Sequence, residues 1–225
     1  RSQPAMAGLD LAEQVSTTEP YIIEPIGEHK FTVVAYDMGI KTNTPRNFAH
    51  RGIRTIVVPA NTPYADIAAY NPDGVFVSNG PGDPATADTM VGIVRDILAA
   101  KIPFFGICFG NQILGRALGL NTYKMKFGHR GINVPVLNHL TGTIDITSQN
   151  HGFALEGTAG TTFTTPYGDA QVTHTCLNDG TVEGVALTSG LAYSVQYHPE
   201  SAAGPHDANP LFDQFVTLMA NHKTH

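Results

Sequence analysis

The sequence places one cysteine in a pattern typical of a nucleophile. Cys108 is the centre of Gly106-Ile107-Cys108-Phe109-Gly110, which joins a buried apolar run to a segment with helical spacing of its apolar residues. A G-x-C-x-G segment between a strand and a helix has the layout of a nucleophile elbow, with cysteine where many hydrolases have serine. The glycines are needed because the nucleophile occupies a tight, strained turn. The positive end of the helix dipole favours the thiolate, so Cys108 is the predicted nucleophile.

A thiolate nucleophile needs a base, and the best placed histidine is His198, at the end of a predicted buried strand. Glu200 follows two residues later, and the intervening Pro199 fixes the turn. A carboxylate held in this way can accept the Nδ1 proton of the imidazole and fix its tautomer. His151 and His129 are rivals, but each is expected in a turn with no carboxylate beside it. The sequence therefore predicts a Cys-His-Glu triad.

A glycine-rich loop, Gly80-Pro81-Gly82, follows another predicted strand and would place backbone N–H groups beside the elbow. Such donors stabilise the negative oxygen that develops in acyl transfer, although an ordinary strand-terminating turn is the alternative. The second cysteine, Cys176, lies in an alternating strand and is expected to be structural. No H-x-x-x-H or C-x-x-C spacing occurs, so no metal site is predicted. The residues alone thus indicate a Cys-His-Glu acyl-transfer enzyme, without identifying its substrate.

These groups must be positioned by strands, since open α/β sheets bind ligands at the carboxyl ends of their strands. Short β-branched and aromatic runs at residues 31–37, 54–60, 73–80, 103–110 and 192–198 predict buried parallel strands. One stripe of an amphipathic helix is formed by Met90, Ile93, Val94, Ile97 and Leu98. A last helix is predicted from about Asn209 to Asn221. The fold class is therefore α/β, with an open, mostly parallel sheet flanked by helices.

Two regions depart from this alternation of strands and helices. Residues 123–187 contain alternating strands separated by turns such as Asn178-Asp179-Gly180, which predicts a smaller antiparallel section. Residues 1–30 mix Gln, Ser, Thr, Pro and Gly without a sustained apolar period. They are expected to be a linker or arm and not part of the core, which leaves residues 31–225 as one domain.

Composition excludes several classes of protein. The chain has 225 residues, 42% hydrophobic and 14% charged, so it can bury a sizeable core. A net charge of -6, with no basic run, argues against a nucleic-acid partner. The apolar runs are shorter than the roughly 18 to 20 residues of a membrane span, so no membrane association is expected. With two cysteines and no signal-peptide pattern, a soluble protein of the cytoplasm is expected.

Several segments resemble a known family. GICFGNQ with Cys108, YHPE with His198 and Glu200, and SNGPGDP resemble the triad-type (class I) glutamine amidotransferases. From about Ala5 to the end, further segments are similar to the amidotransferase subunits of carbamoyl phosphate synthetases: AMAGLDLAEQVSTTEPY, KMKFGHRG, TSQNHGFA, VTHTCLNDGTVEG and HPESAAGPHDANPLFDQF. The elbow departs from the family with Phe109 and Asn111, where Leu and His are more common. The resemblance implies that residues 31–225 are the amidotransferase domain and that residues 1–30 lead from a missing upstream domain.

The resemblance also implies roles for individual residues. Cys108 would attack the side-chain amide of L-glutamine, His198 would protonate the departing ammonia, and Glu200 would orient the imidazole. The backbone N–H groups of Gly80 and Phe109 would bind the oxyanion. The implied glutamine-binding residues are Gly80, Gly82, Phe109, Gln112, Asn150, Gly152 and Phe153.

A partner is implied as well. In this family ammonia passes through a tunnel to a large synthetase subunit, which uses bicarbonate and ATP to make carbamoyl phosphate. ATP and a divalent metal are expected on that partner, and no cofactor is expected in this chain, which has no P-loop motif. Two alternatives remain open. One is another class I amidotransferase or a γ-glutamyl hydrolase, and the other is a non-catalytic docking or regulatory module.

Overall fold

The computed structural model describes residues 5–201 and 203–224, in which eleven strands form one sheet. The strands are β1 (Tyr21–Ile23), β2 (Phe31–Asp37), β3 (Ile53–Pro59), β4 (Gly74–Val77), β5 (Phe104–Ile107), β6 (Thr122–Asn138), β7 (Ile144–Leu155), β8 (Thr162–Thr165), β9 (Gly168–Cys176), β10 (Val182–Leu187) and β11 (Ala192–Val195). The helices are α1 (Ala12–Val15), α2 (Asn43–Ala49), α3 (Tyr64–Ala68), α4 (Asp88–Ala99), α5 (Phe109–Ala117) and α6 (Pro210–Lys223), with a short 3-10 turn at Pro84–Thr86. The strand order is β1-β3-β2-β4-β5-β11-β10-β7-β6-β9-β8.

The five predicted parallel strands are confirmed as β2, β3, β4, β5 and β11, which pair with one another in parallel. Strand β2 has its predicted bounds, and β3 is displaced by one residue. Strands β4, β5 and β11 each end three residues before their predicted ends. The reason is that the chain leaves the sheet in loops after Val77 and Val195, and turns directly into α5 at Cys108 after Ile107. The carboxyl ends of these three strands therefore lie side by side.

Helices cover both faces of the parallel strands. On one face α4 and α5 pack against the sheet through residues such as Ile97 and Ile113, and on the other Phe48 of α2 meets Phe212 and Phe215 of α6. The predicted stripe of α4 is buried, and the predicted last helix is present as α6. No helix among the described residues combines the length and the apolar character needed to cross a lipid bilayer.

The predicted antiparallel section is confirmed in strands β6 to β10. The long hairpin of β6 and β7 contributes most of it, with register shifts between Lys124 and His129 and between Gly131 and Val134. Strand β10 joins this section to the parallel strands by pairing antiparallel with β11. The hairpin is therefore part of the same sheet as the elbow, and one of its ends reaches the candidate site.

The segment before Phe31 is more structured than its composition predicts. Residues 1–4 lie outside the described residues, but Tyr21–Ile23 forms β1 against β3, and Ala12 is buried. The expectation that this segment adds nothing to the core is therefore wrong. A three-residue strand is too short to produce a periodic pattern, and its pairing depends on the free edge of β3. The domain boundary at residue 31 stays a prediction.

Candidate active site

Cys108 lies at the junction of β5 and α5 in a strained backbone conformation. Its φ of 54° and ψ of -98° are values that L-amino acids rarely adopt. A Cβ atom on Gly106 would lie 2.7 Å from the Gly110 carbonyl oxygen, and one on Gly110 would overlap the Val77 carbonyl oxygen. Only glycine fits at both positions, which is the physical basis of the G-x-C-x-G pattern. The geometry is that of the predicted nucleophile elbow.

The loop after β11 brings a histidine and a carboxylate to this elbow. Ile107 and Val195 are register partners in β5 and β11, and the Cys108 N–H donates to the Val195 carbonyl at 2.8 Å. His198 lines the same cleft as Cys108. On its other side, His198 Nδ1 lies 2.8 Å from Glu200 Oε1. The structure thus brings together the three residues predicted as the triad.

The His198 imidazole and the Glu200 carboxylate form a buried ion pair. Burial alone would lower the pKa of His198, but the Cys108 sulfur and the Glu200 carboxylate raise it to about 9. Burial alone would raise the pKa of Glu200, but His198 and Lys41 hold it at about 2. Lys41 Nζ lies 2.9 Å from Glu200 Oε1. At neutral pH the imidazole is therefore protonated and available as a proton donor.

The sequence predicts turns for the two rival histidines, but this is wrong. His129 and His151 lie opposite each other in β6 and β7. His129 Nδ1 lies 3.1 Å from Glu183 Oε1, and His129 Nε2 lies 2.9 Å from Asp179 Oδ2. The hydrogen bond with Glu183 raises the pKa of His129, burial lowers it, and Asp179 raises it further. The net result is a pKa of about 9. The expectation that no carboxylate accompanies these histidines is therefore wrong. Both carboxylates come from other parts of the antiparallel section, which local spacing does not reveal.

His151 has both ring nitrogens occupied by groups other than Cys108. Its Nδ1 lies 2.8 Å from the Phe153 carbonyl oxygen and its Nε2 lies 2.8 Å from Gln149 Oε1. The candidate metal-ligand atoms of His129, His151 and Glu183 lie within 4.8 Å of one another, although sequence spacing predicts no metal site. Hydrogen bonds among these groups and with Gln149 engage both histidines and one carboxylate oxygen of Glu183. The absence of a metal site stays a prediction.

A cleft of about 340 Å³ opens over Cys108. The predicted site residues that line it are Gly80, Gly82, Cys108, Gln112, Asn150, Gly152, Phe153 and His198. Two predicted residues do not line it, because Glu200 is fully buried behind His198 and the Phe109 side chain packs in the core beside α4 and α5. Phe109 is predicted to act through its backbone, so its buried side chain agrees with that role.

Two backbone donors near the elbow are unused. Within residues 5–201 and 203–224, the N–H groups of Gly80 and Phe109 donate to no acceptor. A side chain at position 80 would overlap the Met38 carbonyl oxygen, so the loop can pass this close only with glycine. The loop is held by Asn79, which donates to the Gly39 carbonyl at 2.8 Å. Free N–H groups in a fixed loop and at a helix N-terminus are suited to bind a negative oxygen.

Three cationic side chains of the cleft were not predicted from the sequence. Lys41 follows the carboxyl end of β2, so the rule that ligands bind at strand ends could have found it. Lys124 and Arg130 lie on β6, beside Gly152 of β7. The irregular register between β6 and β7 brings them there, and no local pattern signals it. Lys124 and Arg130 are exposed at the rim and make that side of the cleft positive.

Comparison with known proteins agrees with this geometry. The profile of the family described as glutamine amidotransferase class-I matches residues 33–218. The chain is 81% identical over 223 residues to the carbamoyl phosphate synthase small chain of Corynebacterium diphtheriae, covering 99% of this chain and 59% of that protein. It is 67% identical over 223 residues to the protein of the same name from Mycobacterium tuberculosis, covering 98% and 59%. The chain thus spans about three-fifths of the length of these relatives.

A solved structure is also similar. It is that of a candidate GMP synthase component from Thermoplasma acidophilum, and it superposes with a TM-score of 0.71 over 88% of this chain and 98% of the other. At 19% sequence identity this likeness shows the fold alone. The family profile covers most of the sheet and all three triad positions, so it shows the family as well as the fold. The chain belongs to the class-I glutamine amidotransferase family.

Proposed function

We propose that this chain is the glutamine-hydrolysing component of a carbamoyl phosphate synthase. The observation that carries the proposal is the arrangement of Cys108 on a strained elbow, beside His198 and its partner Glu200, at the base of a cleft. The name carbamoyl phosphate synthase small chain, carried by relatives that are 67% and 81% identical, supports the choice of this amidotransferase among others. The activity, substrate and partner of the complete protein are all part of the proposal.

The first half of the reaction forms a thioester. The Cys108 thiolate attacks the side-chain amide carbon of glutamine, and the resulting negative oxygen is bound by the N–H groups of Gly80 and Phe109. The His198 imidazolium donates its proton to the amide nitrogen, the carbon–nitrogen bond breaks, and ammonia leaves. Glu200 keeps the imidazole oriented throughout, because its Oε1 holds Nδ1 at 2.8 Å.

The second half releases glutamate. Neutral His198 takes a proton from a water molecule, whose oxygen attacks the thioester carbon. The carbon–sulfur bond then breaks, and the Cys108 thiolate and the His198 imidazolium are restored. The γ-carboxyl group of the product loses its proton to solvent. The sum of both halves is glutamine plus water giving glutamate, ammonia and the proton that is released to solvent.

The walls of the cleft are suited to the two charges at the α-carbon of free glutamine. Gln112 Nε2 donates to the Phe153 carbonyl at 2.9 Å and to Gln196 Oε1 at 3.0 Å, so both of its amide hydrogens are used. Its Oε1 is left as an acceptor for the α-ammonium group. Lys124 and Arg130 at the rim would attract the α-carboxylate. Neighbouring glutamine contacts are assigned by the family resemblance to Gly82, Asn150, Gly152 and Phe153.

The proposed partner is the large subunit of the synthase. In this proposal it receives ammonia through a tunnel and combines it with bicarbonate at the expense of ATP, and ATP and a divalent metal bind there. The reason to expect a partner is chemical, because the amidotransferase chemistry derived for this site ends at free ammonia. A reaction that consumes ammonia must follow.

The direct test is glutamate release from L-glutamine by the chain, by Cys108→Ala and by the matched variant Cys176→Ala. We expect Cys108→Ala to abolish release and Cys176→Ala to retain it. A glutamine-like electrophile should label Cys108 and spare Cys176 when the modified peptides are mapped. Faster hydrolysis of a γ-glutamyl peptide than of glutamine would favour a γ-glutamyl hydrolase. No hydrolysis together with an unreactive Cys108 would favour a docking module.

Coupling to the partner is tested separately. Docking is expected to complete the geometry of the site, so glutamate release by the chain alone should be slow. It should rise when the large subunit, the upstream domain, bicarbonate and ATP are added together. Rapid turnover in isolation, unchanged by these additions, would contradict the coupled-subunit proposal and leave the glutaminase chemistry intact.

A further inference from the structure

Gln196 is a fully buried amide that contacts the nucleophile. Its side-chain Nε2 lies 3.5 Å from Cys108 Sγ. The sheet explains this contact, because Ile107 and Val195 are register partners at the ends of β5 and β11, and Cys108 and Gln196 directly follow them in the chain. No step of the reaction described above uses Gln196. The reaction steps therefore do not explain why this amide lies beside the sulfur.

A backbone carbonyl determines which end of the Gln196 amide faces the sulfur. Gln112 lies 2.9 Å from the Phe153 carbonyl oxygen, which can only accept, so the contacting Gln112 atom is the amide nitrogen. The same nitrogen lies 3.0 Å from Gln196, so the contacting Gln196 atom is the amide oxygen. The remaining end of Gln196 is its NH2 group, and it faces Cys108. The hydrogen bond to sulfur therefore runs from nitrogen to sulfur.

Further contacts hold Gln196 in this orientation. Asn111 Nδ2 donates to Gln196 Oε1 at 3.3 Å, and the Ser194 hydroxyl donates to Asn111 Oδ1 at 2.9 Å. Ser194, Gln196 and His198 alternate with Tyr193, Val195 and Tyr197, which pack in the core on the opposite face of the sheet. Gln196 and His198 thus approach the same sulfur from one face of the same strand end.

We propose that Gln196 is a catalytic residue that acts on the nucleophile. Its N–H group donates to the Cys108 thiolate, stabilises the anion before attack and again after the thioester is hydrolysed, and holds the sulfur in place. A hydrogen bond to an anion is strong, and burial strengthens it because no water competes. Its amide oxygen at the same time orients Gln112. The role in turnover rests on the proposed function, whereas the effect on the sulfur does not.

The test measures alkylation of Cys108 by iodoacetamide in a Cys176→Ser background, where Cys108 is the only thiol. The informative quantity is the rate near pH 7 divided by the rate near pH 10. Gln196→Glu keeps an oxygen for Gln112 and Asn111 but replaces the donor to sulfur, and Gln196→Met removes both. We expect the ratio to fall about tenfold or more in each variant.

The matched control is Gln149→Met, which removes another buried amide that contacts His129 and His151 and not the sulfur. It should leave the ratio unchanged. Circular dichroism shows whether each variant is folded. Should Gln196→Met unfold, Gln196→Glu decides. In the unaltered chain, the Gln196 side-chain amide resonance should shift when Cys108 is titrated, and that resonance gives the answer should both variants unfold.

The outcomes separate this inference from the proposed function. An unchanged alkylation ratio in folded Gln196→Glu, or an amide resonance that does not respond to the thiol, would overturn the role of Gln196. A lowered ratio in a chain that hydrolyses no glutamine would contradict the proposed function and leave the role of Gln196 standing. Where glutamine is hydrolysed, Gln196→Glu should lower kcat about tenfold and change KM less, because the partner of Gln112 is retained.

Discussion

Lys41 Nζ lies 2.9 Å from Glu200 Oε1, the same oxygen that the His198 imidazole contacts at 2.8 Å. One fully buried carboxylate thus balances two cations, one after β2 and one after β11. Burial would raise the pKa of Glu200, but His198 and Lys41 hold it at about 2. The carboxylate is therefore ionised at neutral pH, and it fixes the orientation of the imidazole.

Lys41→Met should destabilise the protein at neutral pH. The lowered pKa of Glu200 contributes stability that is present above its ordinary value of 4.5 and is lost as pH falls towards 2. Without Lys41 the pKa of Glu200 rises towards 4.5, so part of that stability disappears. Because Lys41 is 35% exposed, we expect a loss of about 1 kcal/mol at pH 7 in urea unfolding. The difference should shrink below pH 4.5, and Lys41→Arg should retain most of the stability. Equal stability of Lys41→Met and the parent at pH 7 would show that the ion pair contributes nothing.

His198→Asn should remove the proton transfer and retain the fold. We expect kcat for glutamine hydrolysis to fall at least about 10²-fold, and Glu200→Gln to cost less because the imidazole remains. His151→Asn should cost less than about tenfold, because both ring nitrogens of His151 bind groups other than the nucleophile. Steady-state glutamate release measures all three. A harmless His198→Asn beside a damaging His151→Asn would mean that the base is wrongly assigned.

Stability should fall as pH rises from about 6.5 to about 9. Glu183 and Asp179 raise the pKa of His129 from 6.5 to about 9, so the folded protein holds this proton more tightly than the unfolded chain. The contribution is complete below pH 6.5 and is lost as pH passes 9, with a slope of at most about 1.4 kcal/mol per pH unit for each such group. His198 adds a change of the same sign.

His129→Gln should reduce the fall in unfolding free energy with rising pH by the contribution of one titrating group. The measurement is the free energy of unfolding in urea at several pH values. His222→Gln is the control, because His222 is exposed in the last turn of α6. An identical pH slope in His129→Gln and the parent would contradict the assignment of this proton to the cluster of His129, Glu183 and Asp179.

Gly110→Ala should disrupt the elbow, because the new Cβ would overlap the Val77 carbonyl oxygen. We expect a loss of about 1–3 kcal/mol in unfolding free energy and a severe loss of glutaminase activity. The matched control is Gly92→Ala in α4, where a Cβ meets nothing within 4 Å. It should stabilise the protein by about 0.5–1 kcal/mol, because alanine is the better helix former. A tolerated Gly110→Ala would show that the elbow can relax.

The features that the sequence could predict are those that depend on neighbouring residues. Apolar runs and helical periodicity locate β2 to β5, β11, α4 and α6, because burial is repeated along each element. The elbow and the turn from His198 to Glu200 are also local, since a positive φ at Cys108 requires small neighbours and a proline restricts the backbone between the two side chains. The triad could therefore be assembled from short patterns and the rule that strand ends meet.

Only the tertiary structure decided the contacts that depend on register between distant segments. Lys41 and Glu200 form an ion pair although they are 159 residues apart in the sequence, and Glu183 contacts His129 from another strand. Gln196 carries no motif of its own, and only the pairing of β5 with β11 places it against the sulfur. The physical reason is that the periodicity of a strand determines only which face of the sheet a side chain occupies. The residue opposite it depends on strand order and register, and the packing of the whole sheet determines both.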